Sequence, residues 1–263
     1  MSKKLANPET PIHKWTLPGI PEGFSISIKR DDMTGSTLSG NKVRKLEFLL
    51  AEALDRGCKH VITCGGIQAE TGESSLLIPV GGSDEIGLFG YINVFQEMIT
   101  QGLLEDFDDI VFACGSGGTA EGLCIANYLT GQKLKVHGII VSDDKKYFHD
   151  HVNSLLVKMN LNVSSPDILN LIEGYKGTGY DFIIKIASMT GIMLDPVYTG
   201  KAARGLVHEL NNNPHLFKGR RILFLHTGGI FGLYDNRINS TLKLQNEQDN
   251  MIQMWESIDD YPS

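Results

Sequence analysis

The segment DIVFACGSGGTAEG, Asp109–Gly122, decides the fold class of this 263-residue chain. Its first six residues are mostly apolar, which is typical of a strand buried on both faces of a sheet. A glycine-rich loop follows directly, and the residues after it have the composition of a helix. A buried strand, a tight loop and a helix in this order form the repeating unit of a parallel sheet covered by helices.

The same alternation of strand-like and helix-like segments recurs along most of the chain. We predict strands at Phe24–Lys29, His60–Cys64, Leu76–Pro79, Asp109–Cys114, Val136–Ser142, Ile192–Leu194 and Arg221–His226. We predict helices at 42–56, 87–102, 119–130, 146–159, 181–190 and 201–212. The pattern predicts an α/β fold with an open, mostly parallel, twisted sheet and helices on both faces.

The charge and hydropathy of the chain argue against several classes of partner. It has 31 acidic and 24 basic residues, a net charge of −7. A nucleic-acid-binding protein normally clusters its basic residues, so we expect no nucleic-acid partner. The apolar runs are far shorter than the roughly 18 residues that cross a bilayer, so we expect no membrane partner. Residues 1–19 lack the apolar core of a secretory signal, and we predict a cytoplasmic location.

The cysteines and histidines predict neither a disulfide framework nor a metal centre. No Cys-x-x-Cys pair occurs among the four cysteines, Cys58, Cys64, Cys114 and Cys124. Their spacing matches no zinc module. His149 and His151 resemble a metal-binding pair, but residues so close in sequence point apart on a helix. We therefore interpret these histidines as part of a solvated helix face.

The glycine-rich loop Gly115–Thr119 is a candidate phosphate-binding site. It lies between a strand and a helix, where backbone N–H groups and the helix dipole attract anions. The hydroxyls of Ser116 and Thr119 add further donors. Two alternatives stay open: the glycines permit only a tight turn, or the Gly-x-Gly-x-x-Ala pattern at 115–120 forms a dinucleotide site with Asp143.

A lysine at a predicted helix start is the second candidate group. Residues 39–41 are typical helix caps, so Lys42 falls in the first helical turn. The helix dipole and the like charges of Arg44 and Lys45 are expected to lower the pKa of Lys42, which makes its amine available for a Schiff base. The alternative is a solvated basic patch. Together with a phosphate loop, such a lysine is what pyridoxal 5'-phosphate requires.

Six motifs follow one another along the chain: Ser39-Gly-Asn-Lys-Val-Arg-Lys-Leu-Glu47, Cys64-Gly-Gly-Ile-Gln68, Ile78-Pro-Val-Gly-Gly-Ser83, Ala113-Cys-Gly-Ser-Gly-Gly-Thr119, Leu194-Asp-Pro-Val-Tyr-Thr-Gly-Lys-Ala202 and His226-Thr-Gly-Gly229. Together they resemble the D-cysteine desulfhydrase and 1-aminocyclopropane-1-carboxylate deaminase family, whose members are similar in fold to tryptophan synthase β. The resemblance covers most of the chain up to about Asp235. It implies pyridoxal 5'-phosphate as the cofactor, a small-molecule amino-acid substrate and a homodimer.

The resemblance also implies roles for residues of the two candidate groups. Lys42 would bind the cofactor covalently, with Asn41 beside it. The cofactor phosphate would be held by the backbone and hydroxyls of Gly115, Ser116, Gly117, Gly118 and Thr119.

Residues nearer the C-terminus take their expected roles from the same resemblance. Tyr198 would act as an acid, a base or an orienting phenol, and Thr199 would face the pyridine nitrogen. Tyr180 would be a second active-site tyrosine, with Tyr175 as the fallback. Each tyrosine alone is equally typical of a half-buried packing residue. The deaminase branch has a carboxylate where Thr199 stands, so a neutral residue favours the desulfhydrase branch.

The resemblance breaks after Gln68. The family continues there with a Ser-Asn-His run whose serine is catalytic, whereas this chain continues with Ala69–Gly72. About 60–90 residues of the smaller domain are expected to be missing, at roughly 30 residues per strand–helix unit. We predict a larger cofactor-binding domain at 1–40 and 80–240, a remnant of the smaller domain at 41–79, and a polar tail at 241–263. An exposed apolar surface and an incompletely covered site should follow.

These expectations combine into one leading hypothesis and its rivals. The leading hypothesis is a pyridoxal-phosphate-dependent lyase that converts D-cysteine to pyruvate, ammonia and hydrogen sulfide, with activity weakened or lost through the missing segment. One rival is a non-catalytic protein that binds pyridoxal phosphate, and another is an enzyme similar to the deaminases. The last rival is a nucleotide-binding α/β enzyme.

Overall fold

A six-stranded sheet forms the centre of the molecule. Its strands are β1 (Ile12–Lys14), β2 (Ser25–Arg30), β5 (Asp109–Cys114), β6 (Lys135–Ile140), β7 (Asn170–Ile172) and β8 (Arg221–His226). They lie in the order β1-β2-β8-β5-β6-β7, and only β1 is antiparallel to its neighbour. Strands β3 (His60–Thr63) and β4 (Ser75–Ile78) form a separate parallel pair. The computed structural model describes residues 2–7, 9–36, 38–63, 74–177 and 179–234.

Helices cover both faces of the central sheet. They are α1 (Asn41–Asp55), α2 (Leu88–Thr100), α3 (Leu103–Asp106), α4 (Gly118–Leu129), α5 (Lys145–Lys158), α6 (Ser165–Ile168), α7 (Tyr180–Thr190) and α8 (Thr199–Asn212). One apolar core joins β5 and β6 to α2, α4 and α5, and includes Phe95, Phe112 and Phe148. A second core joins the other face to α7 and α8, and includes Ile183 and Leu206. The predicted α/β class with helices on both faces is confirmed.

The strand register places three loops at one edge of the sheet. Strand β5 pairs with β8 on one side and with β6 on the other, in parallel. Because parallel strands point the same way, the loops that follow β5, β6 and β8 leave the sheet at the same edge. In open parallel sheets this edge is where ligands bind.

The structure agrees with most predicted elements and corrects one of them. The predictions for β5 and β8 are confirmed residue for residue. The predicted strand Ile192–Leu194 is wrong. Ile192 and Leu194 are buried, but this segment pairs with none of the described strands. Met193 instead contacts the His226 imidazole through its carbonyl oxygen at 2.9 Å. Its apolar pattern therefore reflects burial. Strands β1 and β7, only three residues each, carry too little pattern to be predicted.

The small sheet carries exposed apolar side chains. Val61 on β3 is 42% exposed and Leu77 on β4 is 62% exposed, as expected where sheet neighbours are missing. The proposed gap after Gln68 and the tail at 241–263 lie outside the described residues, and the domain boundaries stay a prediction. Among the described residues, no helix is both long and apolar enough to cross a membrane.

Candidate active site

A cavity of about 780 Å³ opens at the edge where β5, β6 and β8 end. Its wall is formed by the start of α1, the loop after β4, the glycine loop after β5 and the loop after β8. The predicted residues on this wall are Asn41, Lys42, Gly115, Ser116, Gly117, Thr119 and Tyr198. Gly118 begins α4 directly behind them. The fold thus brings the two candidate groups, 76 positions apart between Lys42 and Gly118, to one cavity.

Lys42 is the second residue of α1, as predicted from its capping neighbours. Its amine donates a hydrogen bond to Asn41 Oδ1 at 3.2 Å. Although this side chain opens onto the cavity, the surrounding walls remove enough solvent to lower the pKa of Lys42, an effect that the charge of Asp195 opposes. The predicted direction of the pKa shift is therefore found.

The cause of that pKa shift differs from the expected one. We attributed it to the helix dipole and to like charge on Arg44 and Lys45, but desolvation is what lowers the pKa of Lys42. Arg44 is buried away from the cavity, where its guanidinium contacts Asp31 Oδ1 at 3.0 Å and Glu97 Oε2 at 2.8 Å. Arg44 is therefore part of the buried interior and not of a basic surface near Lys42. The local sequence pattern does not predict this burial.

The glycine loop has the geometry of an anion cradle. Gly117 has a φ of +93°, a conformation that favours glycine, and it turns the chain so that α4 begins at Gly118. The first N–H groups of a helix lack intrahelical partners and point towards the preceding loop. The Thr119 hydroxyl accepts a hydrogen bond from Asn41 Nδ2 at 3.2 Å, which ties the loop to the helix of Lys42.

Two residues that we did not predict complete the cradle. Ser83 contacts Ser116 through their hydroxyl oxygens at 2.9 Å and accepts a hydrogen bond from the Gly118 N–H at 3.1 Å. Lys45 is buried, and its amine donates to the Gly81 carbonyl oxygen at 2.9 Å. Their signal was present in the sequence, because Ser83 lies in a glycine-rich motif and Lys45 lies one helical turn after Lys42.

Tyr198 approaches the glycine loop from the start of α8. A methyl group at Gly115 would lie 2.8 Å from Cε1 of the Tyr198 ring, so the ring packs closely against the loop. The side chain is 42% exposed. Its position between the loop and the cavity agrees with an orienting or proton-transferring phenol.

The structure does not bring the remaining residues implied by the resemblance to the cavity wall. Thr199 is fully buried, and its hydroxyl donates to Asp195 Oδ1 at 2.6 Å. Tyr180 is half-buried at the start of α7, outside the cavity lining. The fallback, Tyr175, donates its hydroxyl proton to Glu209, and burial beside this carboxylate raises the pKa of Tyr175.

The two histidines singled out in the sequence have separate partners. His149 contacts the Ser165 hydroxyl at 2.8 Å, whereas His151 lies 2.7 Å from Glu121 Oε1. Within the part of the chain that the structure describes, no group of three or more metal-binding side chains is found.

The residues present fit pyridoxal 5'-phosphate. The open N-terminus of α4, with its glycine loop, suits a phosphate. Lys42, whose pKa is lowered by desolvation, stands on the same cavity. Gly115–Thr119 with Ser83 would hold the phosphate, and Lys42 would hold the aldehyde carbon.

Comparison with known proteins places the chain in a class and then in a family. The model of the pyridoxal-phosphate-dependent enzymes matches residues 66–228. The mitochondrial bifunctional D-cysteine desulfhydrase/1-aminocyclopropane-1-carboxylate deaminase of Arabidopsis thaliana is 40% identical, over 88% of this chain and 79% of that protein. The chain therefore belongs to the pyridoxal-phosphate-dependent enzymes and, among them, to the family of D-cysteine desulfhydrases and 1-aminocyclopropane-1-carboxylate deaminases.

Further relatives represent both activities of this family. The D-cysteine desulfhydrase of Yersinia enterocolitica is 28% identical, over 88% of this chain and 94% of that protein. A solved structure of a 1-aminocyclopropane-1-carboxylate deaminase homologue has a TM-score of 0.77 at 29% identity, and covers 91% of this chain and 95% of that chain. The predicted cofactor and enzyme class are confirmed.

The alignment with the plant relative also shows that this chain is shorter within the matched region. That region is 316 positions long, whereas 88% of this 263-residue chain is about 231 residues. About 85 positions of the alignment thus face no residue of this chain. The difference agrees in size with the roughly 60–90 residues that the resemblance led us to expect to be missing, at about 30 per strand–helix unit.

Proposed function

We propose that this chain catalyses α,β-elimination of D-cysteine. The substrate and one water give pyruvate, ammonia and hydrogen sulfide. The observation that carries the proposal is that Lys42, the glycine loop and Tyr198 line one cavity. An amine, an anion cradle and a phenol on one wall suit a reaction in which a proton leaves carbon next to an amino group.

We assign the following roles in the reaction to residues of this chain. Bound pyridoxal phosphate supplies electron withdrawal from the substrate's α-carbon. The Lys42 amine would take the proton from that carbon, because its lowered pKa makes the neutral form more accessible. Tyr198 would orient the substrate or protonate the leaving sulfur. The backbone of Gly115–Thr119 anchors the phosphate end.

The choice of substrate rests on the start of α8. Thr199 is neutral, and the deaminase branch is expected to have a carboxylate at this position. The nearby Asp195 does not replace that carboxylate, because both of its oxygens accept hydrogen bonds from residues 197–199. Among the described residues, no free carboxylate lies at the start of α8, which supports D-cysteine as the substrate. The relatives support deamination of 1-aminocyclopropane-1-carboxylate equally, so this activity is the second candidate.

We expect a slow enzyme, because fewer residues cover the cavity here than in a relative with a complete smaller domain. The small sheet of β3 and β4 exposes Val61 and Leu77, and about 85 positions of the plant relative have no counterpart here. Water excluded by a complete domain would reach the reacting groups, which weakens electrostatic catalysis. A chain that binds the cofactor without turnover is the rival to this proposal.

Turnover assays on the full chain loaded with pyridoxal phosphate test the proposal. We expect sulfide and pyruvate from D-cysteine at a higher kcat/KM than 2-oxobutyrate from 1-aminocyclopropane-1-carboxylate. Lys42→Ala should abolish both products, whereas Lys201→Ala, a change on α8 outside the cavity lining, should not. Faster formation of 2-oxobutyrate would favour the second candidate. If neither substrate gave product, the proposed activity would be wrong and the chain would be a protein that only binds the cofactor.

Three further parts of the proposal concern the context of the enzyme. We propose a cytoplasmic location, a homodimer, and the division into a larger domain and a remnant of the smaller domain given above. Sedimentation velocity tests the dimer: a single species near twice the 29.0 kDa chain mass is expected, and a monomer at all concentrations would contradict it.

A further inference from the structure

A buried carboxylate lies beneath the glycine loop. Glu121 is in the first turn of α4, and its side chain has no exposed surface. Neither of its oxygens makes a well-aligned hydrogen bond among the described residues. A negative charge in this position repels an anion bound at the N-terminus of the same helix.

His151 is the close basic partner of Glu121. Its Nε2, which is itself buried, lies 2.7 Å from Glu121 Oε1. The rest of the imidazole reaches the cavity wall. A methyl group at Gly117 would lie 3.1 Å from both Glu121 Oε1 and His151 Cδ2, so the pair sits directly against the anion cradle. The carboxylate raises the pKa of His151, which favours the charged imidazole.

Lys45 is a weaker candidate for this role. Desolvation and the charge of Lys42 lower the pKa of Lys45 to about 7, so its amine carries only part of a positive charge at neutral pH. Its hydrogen bond goes to the Gly81 carbonyl oxygen and not to Glu121. The basic group in contact with the carboxylate is therefore the imidazole.

We propose that His151 is an electrostatic positioning residue that offsets Glu121 and so allows the glycine loop to bind the phosphate of the cofactor. The inference rests on the proposed cofactor site and adds a part of it that no motif indicated. Neither residue is given a catalytic role. The pair acts on the phosphate end only, so it should leave binding of the aldehyde end to Lys42 unchanged.

Equilibrium binding of two ligands to the full chain distinguishes an effect on the phosphate end from an effect on the aldehyde end. Pyridoxal 5'-phosphate has the phosphate, and pyridoxal lacks it. The variants are His151→Gln, the double variant His151→Gln with Glu121→Gln, and the control His149→Gln, which changes a neighbouring histidine on α5 whose partner is Ser165. Absorbance of the bound chromophore gives the Kd at neutral pH and fixed ionic strength.

We expect His151→Gln to weaken binding of pyridoxal phosphate about tenfold, the scale of one nearby unit charge in a partly solvated site. Pyridoxal should bind this variant as it binds the unchanged chain, and His149→Gln should alter neither Kd. Removing Glu121 as well should restore the affinity for pyridoxal phosphate to within about twofold, because the repulsion is gone.

Three results would overturn the inference. They are equal weakening of both ligands by His151→Gln, no difference between His151→Gln and His149→Gln, and a double variant no better than His151→Gln. A merely structural pair would give the first and third results, since both changes would then damage the fold. If the unchanged chain bound no pyridoxal phosphate, the proposed function would fail instead, and the two failures are distinguishable.

Discussion

Asp195 holds Thr199 at the start of α8 through two hydrogen bonds to one oxygen. Its Oδ1 accepts from the Thr199 N–H at 2.7 Å and from the Thr199 hydroxyl at 2.6 Å. Its Oδ2 accepts from the Tyr198 N–H at 2.8 Å. The carboxylate thus caps the helix and fixes the backbone that presents the Tyr198 ring to the cavity.

We predict that Asp195→Ala lowers the free energy of unfolding by about 2 kcal/mol, because a helix cap is lost and buried N–H groups lose their acceptor. Chemical denaturation measures this change. The control is Asp181→Ala, an exposed acidic residue in the first turn of α7, which should change stability by no more than about 0.5 kcal/mol. Equal stability of the two variants would contradict the capping role of Asp195.

A buried ion network gives a second prediction. Glu97 accepts hydrogen bonds from Lys29 and Arg44, whose side chains are 0% and 4% exposed. Glu97→Ala leaves the charges of Lys29 and Arg44 buried without this carboxylate partner. It should lower the free energy of unfolding by about 3–5 kcal/mol. Glu52→Ala, which breaks the exposed pair with Arg56, should cost about 1 kcal/mol or less. A loss at Glu97 as small as that at Glu52 would show that the network is solvated.

The pH dependence of stability should report the burial of Lys45. Its pKa is lowered to about 7 in the folded chain, whereas an unfolded lysine titrates near 10.4. Between these pH values the unfolded chain binds more protons at this residue, so its contribution to stability becomes more favourable as the pH rises. Without cofactor, the unfolding free energy of the unchanged chain, relative to Lys45→Met, should therefore increase from pH 7 to pH 10. A difference that is constant over this range would contradict the lowered pKa.

The two candidate tyrosines should differ in their effect on turnover. Tyr198 lines the cavity, and Tyr180 does not. We predict that Tyr198→Phe lowers kcat for sulfide release from D-cysteine by about 100-fold, the usual scale of a positioned acid or base. Tyr180→Phe should lower it less than about threefold, since the hydroxyl that it removes lies outside the cavity lining. A larger loss at Tyr180 would restore the role expected from the resemblance.

The parts of the molecule that the sequence predicts well are those set by local chemistry. The strand Asp109–Cys114 and the helix start at Lys42 depend on residues within a few positions. The positions and partners of the Arg44 and Thr199 side chains do not depend on nearby residues alone. Arg44 reaches Glu97 on another helix, and burial by the rest of the chain directs the Thr199 hydroxyl to Asp195 instead of the cavity. Such partners depend on tertiary packing, which outweighs local pattern.

The residues around the glycine loop also show which contacts the sequence predicts and which it does not. Gly115–Thr119 could be predicted because glycines and hydroxyls before a helix suit an anion. The contribution of Ser83, which contacts Ser116 at 2.9 Å, depends on the loop after β4 meeting the loop after β5. The pairing of Glu121 with His151 likewise joins two helices. Neither contact has a sequence spacing from which it could be predicted.

Reductive trapping of the cofactor tests the central claim most directly. The full chain is incubated with pyridoxal phosphate, reduced with borohydride, digested and mapped by mass spectrometry. We predict that the reduced cofactor is attached to Lys42, that Lys42→Ala removes the label, and that Lys201→Ala keeps it. A label on another lysine with Lys42 unmodified, or equal labelling of Lys42→Ala and the unchanged chain, would contradict the account.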